Sequence, residues 1–362
     1  MDSVNPRDGS LIARYDTLDV AALGTKLAVA HMAYSEWRRE PLSVRTKAAA
    51  MLGEKLLMEK ESLATLMTDE MGKPIRQARA EIEKCAGLCQ FYSEMAPTFL
   101  SPRTVKTEAS ESYVRYDPLG PILGIMPWNY PVWQVIRFAV PTLLIGNVVL
   151  LKHAPNVSGC ALAIEKLFHD SGFSDGIYSA LLLDVEHVDK VIADPRTAGV
   201  SLTGSVSAGV AVAEAAGRNL KPSVLELGGS DPFIVLADAD LDAAVDAAVS
   251  SRTLNSGQSC IAAKRFLVER PVHDAFVERM RAAMQRLVLG DPREEATDIG
   301  PLARPDLVSN LHFQVKTSIE LGAKLELGGA PVDQPGNYYP PTLLTGVTRG
   351  MPVFDEETFG PV

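Results

Sequence analysis

The sequence predicts an α/β protein that contains a doubly wound parallel sheet and a second α/β unit. Between Gly120 and Glu226, short apolar runs alternate with amphipathic segments, and this alternation is typical of parallel strands joined by helices. The same alternation resumes after Glu226. A chain of 362 residues has the length of two ordinary domains, so a ligand site is expected in a cleft between domains.

The first hundred residues are predicted to be helical. Between Asp19 and Glu94, apolar side chains such as Leu52, Leu56 and Leu63 recur at spacings of three and four residues among charged ones. This is the pattern of helices that bury one face. It predicts three helices at the start of the fold.

The composition changes at Ser101: Thr, Ser, Val and Tyr dominate, and polar and apolar positions alternate around Val114. This segment predicts a β-hairpin arm over residues 101–116 that projects from the body. Short apolar runs predict strands at residues 122–126, 147–151, 178–183, 199–202, 232–236, 265–268 and 324–327.

The composition argues against several classes of partner. The 35 basic and 45 acidic residues give a net charge of -10 without a basic block, so nucleic acid is not an expected partner. The most apolar run, residues 135–151, is interrupted by Arg137 and Pro141, so no membrane span is expected. The N-terminus lacks a basic segment followed by an apolar one, and we expect a cytoplasmic location.

The four cysteines are too few for a disulfide framework, and no histidine or second cysteine pair lies near Cys85 and Cys89 at ligand spacing. We therefore expect no metal site and interpret these two as packing residues. Cys260 differs because small and polar residues precede it at positions 255–259. Taken alone, it is either a structural cysteine or a nucleophile that reacts as the thiolate.

Glu226 ends an apolar strand and is followed by Leu227 and the paired glycines Gly228 and Gly229. Ligand sites of α/β proteins lie at the carboxyl ends of strands, where a partly desolvated carboxylate can serve as a general base. The paired glycines allow another part of the chain or a ligand to come close. The motif alone is equally compatible with a solvated or helix-capping glutamate.

Asn129 lies between two prolines, Pro127 and Pro131, directly after the predicted strand 122–126. The prolines restrict the backbone, so the amide points in one direction. A fixed amide NH2 can stabilise a developing oxyanion. The alternative is an ordinary turn residue that bonds its own backbone.

Gly204 and Ser205 follow the predicted strand that ends near Leu202 and precede a helical segment. Small residues at a helix N-terminus expose N–H groups that suit a pyrophosphate, as in a Rossmann-type domain. The segment lacks the six-residue glycine fingerprint of the ordinary dinucleotide fold.

Together these motifs resemble those of the aldehyde dehydrogenase superfamily, in the same order and over the whole chain. The matching segments are Pro127–Trp128–Asn129, Lys152 at a strand end, Gly204–Ser205, Glu226–Leu227–Gly228–Gly229, Gly257–Gln258–Ser259–Cys260 and the run 356–362. Residues 151–157 and 228–233 are similar to those of the NAD(P)-dependent succinate-semialdehyde dehydrogenase branch.

The resemblance implies an aldehyde dehydrogenase-like fold with a Rossmann-type cofactor domain (residues 1–100 and 117–227), an oligomerisation arm (residues 101–116) and a second α/β, catalytic domain (residues 228–362). It implies oxidation of an aldehyde to the carboxylic acid through a thiohemiacetal and a thioester on Cys260. Glu226 would be the general base, and Asn129 with the Cys260 N–H would form the oxyanion hole.

The resemblance also implies a cofactor site for NAD or NADP. Its residues would be Lys152 at the adenosine ribose, Gly204 and Ser205 at the pyrophosphate, Glu357 at the nicotinamide ribose, Phe359 beside it and Trp128 along the path of the cofactor. Many NAD-specific members carry a glutamate three residues after the lysine. Pro155 occupies that position, so a 2′-phosphate is not repelled there and NADP is compatible.

For the substrate, the succinate-semialdehyde branch places an arginine at the position of Arg137. Its guanidinium group would hold the distal carboxylate through two parallel hydrogen bonds. The second arginine used by some members falls at Leu254, with Arg252 nearby. Succinate semialdehyde is therefore the expected substrate.

Chains of this family continue beyond the segment matched by residues 356–362 and add a strand that pairs with the arm of a neighbouring subunit. A C-terminal truncation is therefore expected here, and a full-length chain is expected to form a homo-oligomer, a dimer or a tetramer. The alternative function is an inactive nucleotide-binding remnant. A cysteine hydrolase is a third possibility, although none of the six histidines stands in a catalytic motif.

Overall fold

The computed structural model describes residues 1–362 and divides into two compact units. The first consists of residues 1–3, 13–64 and 79–227, and the second of residues 4–12, 65–78 and 228–362. Residues 4–12 and 65–78, assigned from the sequence to the dinucleotide-binding domain, belong instead to the second unit. They bond to it through their backbones: Asn337 N donates to Pro6 O at 2.9 Å, and Ile75 N donates to Pro292 O at 2.8 Å.

Twelve α-helices occur along the chain. They are α1 (Val20–Trp37), α2 (Leu42–Met58), α3 (Lys60–Met71), α4 (Ile75–Phe99), α5 (Trp133–Leu144), α6 (Ser158–Asp170), α7 (Val188–Ala193), α8 (Val206–Arg218), α9 (Leu241–Thr253), α10 (His273–Gln285), α11 (Pro305–Glu320) and α12 (Pro352–Asp355). Four helices, rather than the predicted three, span residues 20–99, because Glu59, with ψ at 15°, separates α2 from α3.

Thirteen strands accompany these helices. They are β1 (Asp2–Val4), β2 (Leu11–Arg14), β3 (Arg103–Thr104), β4 (Tyr113–Val114), β5 (Pro121–Met126), β6 (Val148–His153), β7 (Tyr178–Ala180), β8 (Gly199–Thr203), β9 (Ser223–Glu226), β10 (Asp231–Val235), β11 (Ala263–Val268), β12 (Lys324–Leu327) and β13 (Leu343–Thr345). None of the helices is long and apolar enough to span a bilayer.

The first unit contains a five-stranded parallel sheet in the order β7-β6-β5-β8-β9. All six residues of β6 are buried because helices cover both faces of a parallel sheet. Along the chain, β6 and β7 are added on one side of β5, and β8 and β9 are then added on the other side. The strand order therefore reverses between β5 and β8. Ligands of open α/β sheets bind outside the carboxyl ends of the strands at such a switch.

The second unit has its own core and shorter sheets. Strands β10 and β11 pair in parallel, with α9 as the crossover, and β12 and β13 pair antiparallel. Val235, Val249, Phe276 and Met280 are among the buried side chains that fill the space between β10 and the helices α9 and α10. Separately, β3 and β4 pair antiparallel with Arg103 opposite Val114, forming a hairpin within residues 101–116.

Candidate functional site

The carboxyl edge of the five-stranded sheet collects several predicted site residues. Glu226 is the last residue of β9, Lys152 is the penultimate residue of β6, Gly204 and Ser205 follow β8, and Asn129 follows β5 by three residues. Parallel strands end at the same edge, so one rim of the sheet carries an amide, an ammonium group, a helix start and a carboxylate.

The backbone that follows Asn129 is held by a carboxylate on α4. The Glu81 carboxylate accepts hydrogen bonds from Val132 N at 3.0 Å and Trp133 N at 2.8 Å, at the beginning of α5. Asn129 itself is 4% exposed, and Trp128 beside it is also buried. An amide in such a constrained segment is pre-positioned to donate to a ligand oxygen.

His153 contacts the same segment, a role that its position in the sequence did not predict. Its Nδ1 lies 3.0 Å from Ala154 N and 3.1 Å from Met126 O, and its Nε2 lies 2.9 Å from Pro131 O. Burial lowers the pKa of His153 to about 4, which keeps the ring neutral at neutral pH. A histidine at the end of a buried strand, next to Lys152, was the only signal in the sequence.

The residues at the ends of β6 and β8 fit a dinucleotide. Lys152 is 6% exposed, burial lowers its pKa, and the charge of Asp184 opposes that shift. An ammonium group at the carboxyl end of a strand is a donor that suits a polar ligand. Ser205 caps α8 by accepting from Ala208 N at 3.3 Å, and the N–H groups of Val206 and Ser207 remain available to a phosphate.

The Glu226 carboxylate is solvated, which is one of the alternatives that its motif leaves open. Its side chain is 58% exposed because β9 is the edge strand of the sheet. Arg137, on α5, is half-buried and places Nη2 4.0 Å from Glu226 Oε2. The predicted base and the predicted substrate-binding arginine are therefore neighbours within the first unit. An exposed pair at this separation contributes little to stability, which leaves the guanidinium group available to another carboxylate.

Cys260 is the only cysteine of the chain that is not buried. Cys85, Cys89 and Cys160 are packed in the interior, and burial raises the pKa of the Cys89 thiol to about 12. Burial disfavours the thiolate, which is the reactive form of a thiol. Only Cys260 combines partial exposure with a loop position.

A strained turn precedes Cys260. Asn255, Ser256 and Gly257 all adopt left-handed backbone angles, with φ of 57°, 55° and 76°. Such angles are unfavourable for serine, and the Ser256 hydroxyl compensates by accepting from Gly300 N at 3.0 Å and donating to Gly300 O at 3.2 Å. Glycine is required at position 257 because its φ is left-handed and because a Cβ there would lie 2.1 Å from Gly360 O.

Two buried cations bind carbonyl groups around Cys260. The Arg252 guanidinium donates to Gly257 O, and burial lowers the pKa of Arg252 to about 10. Arg252 thus supports the turn, while Leu254, at the second arginine position of some family members, is half exposed. The Lys264 ammonium donates to the carbonyl of Cys260 itself at 2.7 Å. Neither cation was predicted as part of the site.

Glu357 lies against the paired glycines. A Cβ on Gly228 would lie 2.0 Å from Glu357 Oε2, so this glycine leaves room for the carboxylate, and Gly229 N–H bonds to it. Burial raises the pKa of Glu357, while Lys264, 3.5 Å away, opposes that shift. Phe359, two residues later, is half-buried. Among these residues, no group of three His, Cys, Asp or Glu side chains is arranged to hold a metal ion.

Comparison with known proteins agrees with the arrangement of motifs. The model of the aldehyde dehydrogenase family matches residues 1–362. A protein of Escherichia coli named succinate semialdehyde dehydrogenase, with NAD(P)+ in its name, is 48% identical over 99% of this chain and 78% of its own length. A Synechocystis protein named probable succinate-semialdehyde dehydrogenase, with NADP+ in its name, is 47% identical over 99% of this chain and 79% of its own length.

Solved structures give the same result for the fold. The crystal structure of succinic semialdehyde dehydrogenase from Streptococcus pyogenes in complex with NADP+ superposes with a TM-score of 0.97 at 34% identity, covering 100% of this chain and 80% of that one. Family match, identity and fold agree along the whole sequence. The chain belongs to the aldehyde dehydrogenase family.

Proposed function

We propose that this chain oxidises succinate semialdehyde to the carboxylic acid with NAD or NADP, using Cys260 as the nucleophile. The observation that carries this proposal is the setting of Cys260, a partly exposed thiol that follows a strained, side-chain-bonded turn. The names of the E. coli and Synechocystis relatives support the substrate and the cofactor.

In the proposed first step, the Cys260 thiolate adds to the carbonyl carbon and forms a carbon–sulfur bond. The electron pair of the carbonyl π bond moves to oxygen, giving a tetrahedral thiohemiacetal anion. The Asn129 amide and the Cys260 N–H donate to this oxygen and stabilise its charge. Both donors belong to constrained segments, so little reorganisation is required as the charge develops.

In the second step, the oxyanion reforms its carbonyl bond as the carbon loses a hydride, and a thioester remains on Cys260. The nicotinamide ring of the bound cofactor supplies the acceptor for that hydride. Glu226 then removes a proton from water, which attacks the thioester carbon and releases the acid and the thiolate. The solvated position of Glu226 gives it access to water.

For the cofactor, we propose that Lys152 binds the adenosine ribose, and Gly204 and Ser205 the pyrophosphate. Glu357 would bind the nicotinamide ribose, with Phe359 and Trp128 as packing contacts. Support comes from the position of the Lys152 ammonium group at the carboxyl end of β6 and from the free N–H groups at the start of α8. A homo-oligomer formed through the hairpin and a cytoplasmic location stay predictions from the sequence.

The direct test is an assay of this chain with succinate semialdehyde and each nucleotide, following the absorbance of the reduced nicotinamide. We expect oxidation with at least one of the two nucleotides. Binding of nucleotide without any turnover of short aldehydes would contradict the proposal and favour the nucleotide-binding remnant.

Replacing Asn129 by alanine is expected to lower kcat by about 10²- to 10³-fold, because one oxyanion donor is lost. Binding of the nucleotide, measured by fluorescence titration, should change little. Asn219→Ala in the same unit is the control, since its amide bonds only Ala215 O at 2.8 Å. Equal activity of the two variants would remove Asn129 from the mechanism.

Replacing Arg137 by glutamine tests the substrate assignment. We expect kcat/KM for succinate semialdehyde to fall about 10- to 100-fold, since hydrogen bonds between charged groups contribute about 1.5–3 kcal/mol. Butanal, which has no distal carboxylate, is the matched substrate and should be oxidised nearly as before. Because Arg137 also lies 4.0 Å from Glu226, an equal loss with butanal would instead indicate an effect on the base.

A further inference from the structure

Lys264 has an unusual environment for a lysine. Its side chain is fully buried, and its ammonium group donates to three carbonyl oxygens, Ser259 O at 3.1 Å, Cys260 O at 2.7 Å and Ala262 O at 3.3 Å. An ammonium group has three N–H donors, so these carbonyls match its full capacity. The Glu357 carboxylate lies 3.5 Å away and compensates the buried charge.

The backbone that carries this ammonium group is itself fixed. Lys264 is the second residue of β11, which pairs in parallel with β10 at Ala263 and again from Arg265 to Val268, with a register shift at Lys264 between them. By contrast, the loop next to it has an exposed residue, Ile261, at 77% exposure. The lysine therefore ties a partly exposed loop to a hydrogen-bonded strand.

The bond to Ser259 O determines the direction of the next N–H. A trans peptide is planar, and its C=O and N–H point to opposite sides; the chain has no cis peptide bond. Because Ser259 O faces Lys264, the Cys260 N–H must point away from the ammonium group. That N–H donates to no acceptor within the chain. A main-chain N–H on a partly exposed residue that donates to no other group of the chain is available to a ligand oxygen.

We propose that Lys264 is a positioning residue, which fixes the Ser259–Cys260 peptide plane so that the Cys260 N–H is presented to the oxyanion of the substrate. The inference rests on the proposed role of Cys260. Lys264 acts only through the peptide: it forms no bond to the substrate, and the proton balance of the reaction is unaffected.

The test replaces Lys264 by methionine, which keeps a long unbranched side chain and removes the donors. We expect kcat for aldehyde oxidation to fall about 10²- to 10³-fold, as for loss of an oxyanion donor. Alkylation of Cys260 by iodoacetamide needs no oxyanion hole and should keep nearly its original rate, as should nucleotide affinity. Lys324→Met, an exposed lysine of the same unit, is the control and should be unaffected.

A second variant separates positioning from general loss of structure. In Lys264→Ala, ethylammonium ions added to the buffer should restore kcat in a concentration-dependent way, whereas tetramethylammonium, which has no N–H donor, should not. If Lys264→Met does not fold, the test is the comparison of kcat for Lys264→Ala with and without ethylammonium.

Two results would overturn the inference: unchanged kcat in Lys264→Met, or a fall in kcat matched by equal falls in alkylation rate and nucleotide affinity without rescue. Cys260→Ser distinguishes failure of the proposed function from failure of the positioning role of Lys264. If Cys260→Ser stays active, the proposed function fails; if it is inactive while Lys264→Met is fully active, only the positioning role fails.

Discussion

Cys260→Ser is expected to lower aldehyde oxidation by roughly 10⁶-fold, as found when an enzyme loses its nucleophile. A serine hydroxyl is far less nucleophilic than a thiolate, and no covalent intermediate would form at a useful rate. Reduced nicotinamide, followed by absorbance under saturating substrate, measures the loss. Nucleotide binding should persist, because the predicted phosphate and ribose contacts at Lys152 and Ser205 are untouched.

Cys160→Ser provides the matched control for this experiment. Cys160 is buried in α6, within the first unit, and has no role in the proposed chemistry. Its replacement should leave kcat nearly unchanged. Substantial oxidation by Cys260→Ser would show that the thiol is not the nucleophile, and the mechanism would have to be abandoned.

Glu226→Gln should separate the two halves of the reaction. The thioester forms without the base, but its hydrolysis requires removal of a proton from water, so steady-state turnover should fall about 10²- to 10⁴-fold. Rapid mixing with substrate and nucleotide should then show a burst of reduced nicotinamide, close to one equivalent per Cys260, followed by slow turnover.

Glu214→Gln is a suitable control for Glu226→Gln, since Glu214 is an exposed carboxylate on α8 that pairs with Arg218 at 2.6 Å. It should show no burst and an unchanged steady state. If Glu226→Gln lost the burst as well as the steady state, the carboxylate would be needed before the thioester forms, and its assignment as the hydrolytic base would be wrong.

Much of the sheet could be predicted because its signals are local. The apolar runs of β5, β6 and β8 are flanked by turn residues and separated by helical segments, and such patterns depend on neighbouring residues alone. The positions of Asn129 and Glu226 at strand ends followed from the same local pattern, because side chains at the ends of parallel strands share one edge.

The features that the sequence did not predict depend on residues that lie far apart along the chain. The neutral state of His153 depends on its burial by other parts of the chain, and the exposure of Glu226 depends on β9 being an edge strand. The buried position of Lys264 depends on the loop before β11 folding back onto its side chain. Spacing along a sequence does not contain this information, whereas the three-dimensional contacts do.

The central claim, a covalent intermediate on Cys260, is most directly tested by trapping. Glu226→Gln, mixed with succinate semialdehyde and NADP+ and quenched during the burst, would be digested and analysed by tandem mass spectrometry. The proposed mechanism predicts a succinyl thioester on the peptide that contains Cys260 and none on Cys85, Cys89 or Cys160. Formation of reduced nucleotide with Cys260 unmodified would contradict it.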